Sequence, residues 1–463
     1  MSYAELLQVT RELAASYLDR AGSRHVGGRS SRAELLNALG GPLPEHGSGP
    51  VDVIRELAAA ADPGLVAGIG PRYFGFVTGG ALPVSVAADW LTSTWDQNAG
   101  LYVMSPTIAV LEDVVAEWIL DLAGLPAQSS VGFVTGAHMA NFTCLAAARH
   151  EVLRRTGWNV EDDGLQRAPA LKVIAGDHVH VSVIGALRML GIGAREVKRI
   201  AVDSQGRMVA AALREALSET AGPTIVCAQV GNVNTGASDP LEEIVPAAHA
   251  RSAWVHVDGA FGLWAASVPE LRHQVEGLAR ADSWTTDAHK WLNVPYDSGL
   301  AIVAHPAPHR AAMSLHASYL VRGGSDDRAG MDWVPESSRR ARVIPIYAVL
   351  RSLGRSGLCD MVYRSCLLAR RIAERLAAVP GIAILNEVVL NQVLARFGDD
   401  DETTRLVISR VQADGTCWAG GAHWHGREVM RLSISNWSTT EKDVDRSADA
   451  IIRCFEQERS APN

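Results

Sequence analysis

Five short apolar runs in the middle of the chain constrain its fold more than any other feature. They are rich in β-branched residues and occupy residues 131–135, 171–175, 224–230, 253–258 and 299–304. Stretches with helical spacing lie between them, for example residues 139–155 and 182–190. Strands that are apolar on both faces are typical of a parallel sheet covered by helices. We therefore predict an α/β fold built on a large, mostly parallel sheet.

The regions that flank these runs predict further units. Residues 1–70 indicate an N-terminal helical segment, because Gly- and Pro-containing turns separate short amphipathic stretches. Residues 71–345 hold the predicted large domain. Residues 346–463 combine a long helical stretch with short strands, which predicts a smaller C-terminal α+β domain.

Charge and composition exclude several classes of function. The 51 acidic and 43 basic residues give a net charge of -8 without long runs of one sign, so we expect no nucleic acid partner. No apolar stretch is long enough to span a membrane, and the N-terminus is amphipathic rather than signal-like. The six cysteines contain no C-x-x-C pair, which indicates reduced thiols. We expect a cytoplasmic protein.

The clearest chemical signal is the segment TTDAHKWLNVPYDSG at residues 285–299. A lone lysine is usually a solvated surface charge. Here the apolar residues around Lys290 would desolvate its ammonium group and favour the neutral amine that attacks an aldehyde. Lys290 is therefore a candidate for Schiff-base formation.

A second signal is the segment AWVHVDGAFGLW at residues 253–264, in which Asp258 ends an apolar run. An aspartate at such a position is often only the N-cap of the following helix. The small residues after it, Gly259, Ala260 and Gly262, leave room for a flat ring. Pyridoxal 5'-phosphate needs a carboxylate at its pyridine nitrogen and a lysine at its aldehyde, and Asp258 and Lys290 are of those types.

Two weaker patterns precede these. The segment FVTGAHMANFTCLAAAR at residues 133–149 predicts a strand, a turn and a helix whose first N–H groups, at Gly136, Ala137 and His138, could hold a phosphate. The segment GDHVHVSVIGALR at residues 176–188 contains His178 and His180, which could bind a metal or stack on an aromatic cofactor. No acidic or cysteine partner lies close to this pair, so we predict no metal site.

The order of these motifs resembles the group II pyridoxal-phosphate-dependent amino acid decarboxylases, which include aromatic-amino-acid, histidine and glutamate decarboxylases. The resemblance runs from about Pro71 to Thr440, and its most specific part is HVDGAFG followed by His289 and Lys290. It implies a fold-type-I enzyme, similar to aspartate aminotransferase, with pyridoxal 5'-phosphate as cofactor. The implied reaction converts an L-amino acid to its amine and carbon dioxide through a Schiff base at Lys290.

The resemblance also implies a role for each matching residue. The cofactor-binding residues would be Ala137, His138 and His289 at the phosphate, Asn232 and Asn234 near the ring oxygen, Asp258 at the pyridine nitrogen, His180 and Ala260 on the two ring faces, and Lys290. The catalytic residues would be Lys290, His180 and Tyr319, the last being the proton donor in a mobile loop at residues 314–332. The substrate-binding residues would be Thr78, Asn98, Gly100 and Arg431.

The chain departs from the family pattern at several of these positions. Asn98 and Gly100 stand where aromatic decarboxylases supply bulky side chains, and His138 stands where a smaller residue is usual. Asn232 and Val233 replace the usual threonines. These departures leave the substrate side chain open. The resemblance also implies a homodimer in which each subunit contributes to the other's active site.

Other functions are consistent with the same residues. A carbon–carbon lyase, an aminotransferase or an oxidative deaminase could use the same cofactor. A catalytically silent relative would not need Lys290, Asp258, His180 and Tyr319 together. A metal hydrolase based on His423 and His425 in AHWHG is a further alternative.

Overall fold

The computed structural model describes residues 2–315 and 327–460 of the chain. The chain divides into two compact units. The first contains Met1–Gly80, Arg370–Leu385 and Leu394–Asn463, and the second contains Ala81–Ala369 and Asn386–Val393. The first unit thus combines segments from both ends of the sequence, whereas the predicted domain boundaries at residues 70 and 345 stay a prediction.

Strands and helices alternate in the middle of the chain, between residues 130 and 258. The α-helices are α1 (Tyr3–Arg20), α2 (Arg32–Leu39), α3 (Pro50–Ala61), α4 (Pro83–Trp95), α5 (Pro106–Ala123), α6 (Ala137–Arg154), α7 (Val160–Asp163), α8 (Val181–Met189), α9 (Ala210–Ser218), α10 (Leu241–His249), α11 (Pro306–Met313), α12 (Val343–Ala377, interrupted at Gly354), α13 (Asp401–Asp414) and α14 (Glu441–Arg459). The strands are β1 (Ser130–Val134), β2 (Lys172–Gly176), β3 (Val197–Ile200), β4 (Thr224–Gln229), β5 (Trp254–Asp258), β6 (Ser283–Asp287), β7 (Gly299–Val303), β8 (Ile382–Ile384), β9 (Gln392–Phe397), β10 (Gly420–Trp424) and β11 (Arg427–Ser433). Short 3₁₀ helices include Gly262–Ser267 and Gly330–Trp333.

The second unit is built on a seven-stranded sheet of order β1-β7-β6-β5-β4-β2-β3. Strands β2 to β6 pair in parallel, and β7 is antiparallel to both of its neighbours, β1 and β6. The predicted α/β fold with a large, mostly parallel sheet is confirmed. Because β1 and β6 are both antiparallel to β7, β1 runs in the same direction as β2 to β6. The carboxyl ends of these strands therefore lie at one edge of the sheet.

Helix α6 packs against this sheet through small side chains. Ala140, Cys144, Ala147 and Ala148 are all completely buried. Small residues on this face let the helix backbone approach the strands closely, and the Cys144 sulfur lies 3.4 Å from the carbonyl oxygen of Trp284. This contact fixes the position of the helix whose N-terminus faces the carboxyl edge of the sheet.

All five predicted strands exist, as β1, β2, β4, β5 and β7, within one residue of the predicted bounds. Two strands of this sheet were not predicted. Edge strand β3 carries exposed Lys198 and Arg199 between buried Val197 and Ile200, so it has no continuous apolar run. Strand β6 has the sequence SWTTD and is buried throughout although most of its side chains are polar. Burial of those polar groups requires hydrogen-bond partners that only tertiary packing supplies.

The first unit contains a four-stranded sheet of order β10-β11-β9-β8, together with α13 and α14. A segment from the start of the chain joins this unit by backbone hydrogen bonds. The Trp418 N–H donates to Arg72 O at 3.1 Å, and the Phe74 N–H donates to Trp418 O at 2.8 Å. Residues more than 300 positions apart in sequence are thereby brought together.

One predicted catalytic residue lies in a part of the chain that the structure does not describe. This residue is Tyr319, in the predicted loop at residues 314–332. The two ends of that segment are joined by a hydrogen bond, which the Ser314 hydroxyl donates to Asp332 Oδ1 at 2.7 Å.

Among the helices that are described, none has the length and apolar character needed to cross a bilayer.

Candidate active site

The residues predicted to bind the cofactor follow the carboxyl ends of parallel strands. They are Ala137 and His138 after β1, His180 after β2, Asn232 and Asn234 after β4, Asp258 and Ala260 at the end of β5, and His289 and Lys290 after β6. Since these strands run in one direction, the residues lie along one edge of the sheet. That edge is where open α/β sheets bind ligands.

Asp258 is the last residue of β5, and its side chain is buried. Its Oδ1 accepts the Ala260 N–H at 3.1 Å and lies 3.5 Å from the Thr285 hydroxyl, and its Oδ2 accepts from Asn141 Nδ2 at 3.2 Å. The 3₁₀ helix that follows begins after Phe261, so Asp258 is not an N-cap. These hydrogen bonds fix the direction of the carboxylate.

Asn141, on α6, connects Asp258 to a buried histidine. Its Oδ1 accepts from His256 Nε2 at 2.8 Å while its Nδ2 donates to Asp258. His256 Nδ1 lies 2.9 Å from the Ser283 hydroxyl, so a neutral ring with its proton on Nε2 satisfies both nitrogens. Burial lowers the pKa of His256 to about 4, and the ring therefore stays neutral at pH 7.

Asn141 also connects Asp258 to His180. Its Nδ2 lies 3.1 Å from the Ser182 hydroxyl, which lies 2.7 Å from His180 Nδ1. The Ser182 N–H also donates to His180 Nδ1, at 3.3 Å, which makes His180 the N-cap of α8. A continuous hydrogen-bonded chain thus orients both the carboxylate and the imidazole that were predicted to contact the cofactor ring.

Lys290 combines apolar neighbours with a buried carboxylate. Ala288, Trp291 and Leu292 are completely buried, as the sequence predicts. The amine itself does not point into an apolar environment, because Lys290 Nζ lies 2.8 Å from Asp287 Oδ2. The side chain of Lys290 is 19% exposed, whereas that of Asp287 is 3% exposed.

The N-terminus of α6 already binds a carboxylate oxygen within the chain. The Ala137 N–H donates to Asp287 Oδ1 at 2.6 Å. Gly136 leaves little room here, since a Cβ at this position would lie 3.1 Å from His289 Cε1 and 3.3 Å from Asp287 Oδ1. This arrangement shows that the predicted phosphate site can hold an anionic oxygen.

His289 lies beside this helix N-terminus. Its Nδ1 accepts the Ser298 N–H at 3.2 Å, and its Nε2 lies 3.5 Å from Asp287 Oδ1. Burial lowers the pKa of His289, partly opposed by the charge of Asp287. The Ser298 hydroxyl is buried without a hydrogen-bond partner among the described residues. His289 Nε2 and the Ser298 hydroxyl are thus two hydrogen-bond donors at this end of the site.

The other predicted cofactor residues have different surroundings. His138 is exposed and lies against α8, where a Cβ on Gly185 would be only 2.7 Å from His138 Nε2. Asn232 is buried, and its Oδ1 accepts the N–H groups of Asn234 and Thr235 at 2.9 and 3.3 Å. The Asn232 side chain thus stabilises its own turn.

The predicted substrate residues fall in both units. Asn98 and Gly100 belong to the second unit, where Asn98 Oδ1 accepts the N–H groups of Gly100 and Arg339 at 3.1 and 3.3 Å. Thr78 and Arg431 belong to the first unit, and Arg431 lies on β11. Burial lowers the pKa of the Arg431 guanidinium.

Two residues of this edge were missed from the sequence. Asn141 had a weak signal, since it is a polar residue between Ala140 and Phe142, one turn into the helix. Asp287 stands three residues before Lys290 in the motif already singled out, at the end of a strand that was not predicted. Both signals are common in loops and helices and become specific only once their partners are known.

The described residues contain no group of histidine, cysteine or acidic side chains suited to hold a metal ion. His423 lies 3.0 Å from Glu428 on the hairpin formed by β10 and β11. His180 uses Nδ1 to cap α8.

Comparison with known proteins gives a family match over most of the chain. The family model described as "Pyridoxal-dependent decarboxylase conserved domain" matches residues 36–397. The aromatic-L-amino-acid decarboxylase of Cavia porcellus is 28% identical over 460 residues, covering 94% of each chain. The 4-hydroxyphenylacetaldehyde synthase of Rhodiola rosea is 26% identical over 453 residues, covering 94% of this chain and 91% of the relative.

The fold also matches solved structures. The structure described as Oryza sativa TDC with PLP and tryptamine superposes with a TM-score of 0.91 and 22% identity, covering 98% of this chain and 97% of that one. At this identity the likeness concerns the fold, and it agrees with the sheet topology described above.

Proposed function

The chain belongs to the pyridoxal-dependent decarboxylase family, and from this we propose that it removes the α-carboxylate of an L-amino acid as carbon dioxide and releases the amine. The cofactor of the family is pyridoxal 5'-phosphate. The observation that carries the proposal is the placement of Lys290 and Asp258 beyond and at the carboxyl ends of neighbouring parallel strands.

The residues at this edge are of the types that such a cofactor requires. Lys290 would bind the aldehyde, Asp258 would face the pyridine nitrogen, and His180 and Ala260 would contact the ring. The α6 N-terminus at Ala137, which already binds a carboxylate oxygen, would bind the phosphate together with His289. His138, Asn232 and Asn234 would complete the set.

When bound, pyridoxal 5'-phosphate supplies an electron sink for the electron pair left by the departing carbon dioxide. The chain orients the groups around it. Asn141 and the Ala260 N–H hold Asp258 in one direction, and Ser182 holds the His180 ring. These contacts come from the chain itself, so other side chains hold the Asp258 carboxylate and the His180 ring in position for the cofactor.

We assign the proton that replaces the carboxylate to Tyr319, which the resemblance identifies as the donor. A second outcome has a specific observation in its favour, namely the similarity to an aldehyde synthase. Oxidative release of an aldehyde would use the same cofactor residues, but the α-carbon would be oxidised by dioxygen, which takes up two electrons and leaves as hydrogen peroxide. Products separate the two: equal amounts of carbon dioxide and amine support decarboxylation, whereas aldehyde and ammonia contradict it.

The test is a screen of the standard amino acids and common biosynthetic intermediates for carbon dioxide release, followed by identification of the amine. The purified holoenzyme should show a visible absorption band that borohydride bleaches. Tyr319→Phe should lower the yield of amine relative to aldehyde if Tyr319 is the proton donor. If the wild-type protein releases no carbon dioxide from any of these compounds, the proposal is wrong.

We assign substrate recognition to Thr78, Asn98, Gly100 and Arg431, with Arg431 as the partner of a substrate carboxylate. Asn98 and Gly100 offer less bulk than aromatic residues would, so these two positions leave the substrate side chain open. Arg431→Ala should raise KM more than it lowers kcat, because uniform binding energy is removed.

We further propose a homodimer with shared active sites, working in the cytoplasm. Helices α1, α2 and α3 contain no buried residue, and Leu7, Leu36, Leu39 and Leu57 on them are 47–54% exposed. Exposed apolar clusters of this kind support an interaction surface. The cysteines are all free thiols, which supports a reducing compartment. Light scattering should give twice the chain mass of 49.5 kDa.

A further inference from the structure

Asp287 is placed where it contacts both the reactive lysine and the predicted phosphate site. It is the last residue of β6 and is 2% exposed. Its Oδ2 lies 2.8 Å from Lys290 Nζ, and its Oδ1 accepts the Ala137 N–H at 2.6 Å.

The contact with Ala137 has a direct consequence for cofactor binding. The Ala137 N–H is the group assigned to the cofactor phosphate, and one N–H cannot serve two anionic oxygens at full strength. A phosphate and a carboxylate side by side also repel each other. The phosphate must therefore displace Asp287 Oδ1 or bind against its charge.

Lys290 balances the charge of Asp287 before the cofactor arrives. The groups that face the carboxylate are Lys290 Nζ, His289 Nε2 at 3.5 Å and the N-terminus of α6 at Ala137. His289 Nδ1 accepts the Ser298 N–H, which leaves Nε2 as the protonated nitrogen of a neutral ring. The positive charge beside Asp287 thus comes from the Lys290 ammonium.

We propose that Asp287 is a positioning residue that holds Lys290 in the site and occupies the α6 N-terminus until the cofactor phosphate displaces it. The carboxylate thereby lowers the affinity of the chain for a phosphate-bearing cofactor, while it keeps the amine oriented. This inference rests on the proposed function and concerns how the same site admits its cofactor. It distinguishes Asp287 from Asp258, whose charge would face the cofactor ring.

The experiment compares pyridoxal 5'-phosphate with pyridoxal, which has the same ring and aldehyde but no phosphate. The full chain is freed of cofactor, and the dissociation constant of each compound is measured by titration for the wild type and for Asp287→Asn. The ratio of the pyridoxal to the pyridoxal 5'-phosphate constant isolates the contribution of the phosphate. In Asp287→Asn this ratio should rise about tenfold or more, which corresponds to about 1.4 kcal/mol.

The matched control is Asp282→Asn. Asp282 directly precedes β6 at the opposite edge, is also buried and also accepts a backbone N–H, from Val255 at 2.7 Å. Its substitution should leave the ratio unchanged. Asp287→Ser, which is neutral and shorter, should shift the ratio in the same direction as Asp287→Asn.

Three outcomes of these titrations would contradict either the role of Asp287 or the proposed function. A ratio that stays constant or falls in the folded Asp287 variants overturns the proposal, because the carboxylate would then not oppose the phosphate. Loss of folding in both Asp287 variants, while Asp282→Asn folds, also overturns it, since Asp287 would be a structural carboxylate. If the wild type binds neither compound, the proposed function itself fails.

Discussion

The two ends of strand β6 carry aspartates with similar hydrogen bonds and different consequences. Asp282, before the strand, accepts the Val255 N–H and lies 2.9 Å from Nε2 of His249. The His249 side chain is 41% exposed. Asp287, at the end of the strand, accepts the Ala137 N–H and lies 2.8 Å from Lys290 Nζ. At the amino edge the carboxylate stabilises the fold by accepting a backbone N–H. At the carboxyl edge it faces the amine of Lys290 and the N-terminus of α6.

The comparison shows that a buried carboxylate is not by itself a sign of function. Both aspartates offset the cost of burial through hydrogen bonds, as buried charges must. What differs is the edge of the sheet, because the carboxyl edge gathers the loops that follow six strands of one direction, together with the first turn of α6. Functional groups therefore concentrate at one edge only.

The largest loss of activity should come from a substitution of Lys290, at the carboxyl edge. Lys290→Ala should lower carbon dioxide release by about 10³-fold or more, because the nucleophile is removed, and should abolish the borohydride-sensitive band. Rates and spectra of the purified variant test this. Lys198→Ala is the control, since Lys198 lies on β3 and forms an exposed pair with Glu219. Retention of the band in Lys290→Ala would contradict the assignment of Lys290.

The next effect should come from the buried network at the carboxyl edge. Asn141→Leu leaves Asp258 and His256 each without one hydrogen-bond partner, so we expect a loss of about 2–4 kcal/mol in the free energy of unfolding. We also expect kcat to fall by about tenfold or more, because the direction of Asp258 is no longer fixed. Denaturant titration and steady-state kinetics measure the two changes.

A matched variant on the same helix separates the effect of the Asn141 hydrogen bonds from the effect of packing in α6. Thr143→Val changes a buried hydroxyl that donates to the backbone oxygen of Met139 within α6. It should reduce stability by less than Asn141→Leu and leave kcat unchanged. Equal kinetic losses in the two variants would show that Asn141 acts only through the packing of α6.

Acid should destabilise the network through His256. Its pKa in the folded chain is about 4, against an ordinary value of 6.5, so the unfolded chain binds more protons between these pH values. Stability is therefore present above pH 6.5 and is lost as the pH falls towards 4, by up to about 3 kcal/mol from this group.

The measurement is the free energy of unfolding at several pH values between 7 and 4.5. In His256→Gln the slope over this range should be smaller than in the wild type, although the stability at pH 7 should also be lower. His46→Gln, at an exposed N-terminal position, should leave the slope as it is. An identical slope in His256→Gln and the wild type would show that His256 is not the group that titrates.

The smallest effect should come from the amino edge. Asp282→Asn keeps an oxygen that accepts the Val255 N–H and removes a charge beside a partly exposed histidine, so we expect a loss of about 1 kcal/mol. Carbon dioxide release should remain within a factor of two of the wild type. A large kinetic loss in this variant would remove the contrast between the two ends of β6.

Much of this architecture follows from local sequence. The strands β1, β2, β4, β5 and β7 are apolar runs, and such runs can be stable only inside a covered sheet, so their pattern predicts the fold. Lys290 and Asp258 were also recognisable, because each stands at the end of an apolar run with small or apolar neighbours.

The residues missed have no such local signature. Strand β6 is polar, and its Ser283 and Thr285 side chains are satisfied by His256, Asn141 and Asp258, which come from other elements. Asn141 lies 117 residues before Asp258, and Ala137 lies 150 residues before Asp287. Pairings at these separations depend on strand order and helix packing.

The sequence by itself thus determined the fold class, the cofactor chemistry and the residues that stand at strand ends, because hydrophobic periodicity and short motifs act over a few positions. Only the tertiary structure decided what each carboxylate faces. Burial makes every polar group depend on its nearest partner, and in this protein those partners arrive from distant parts of the chain.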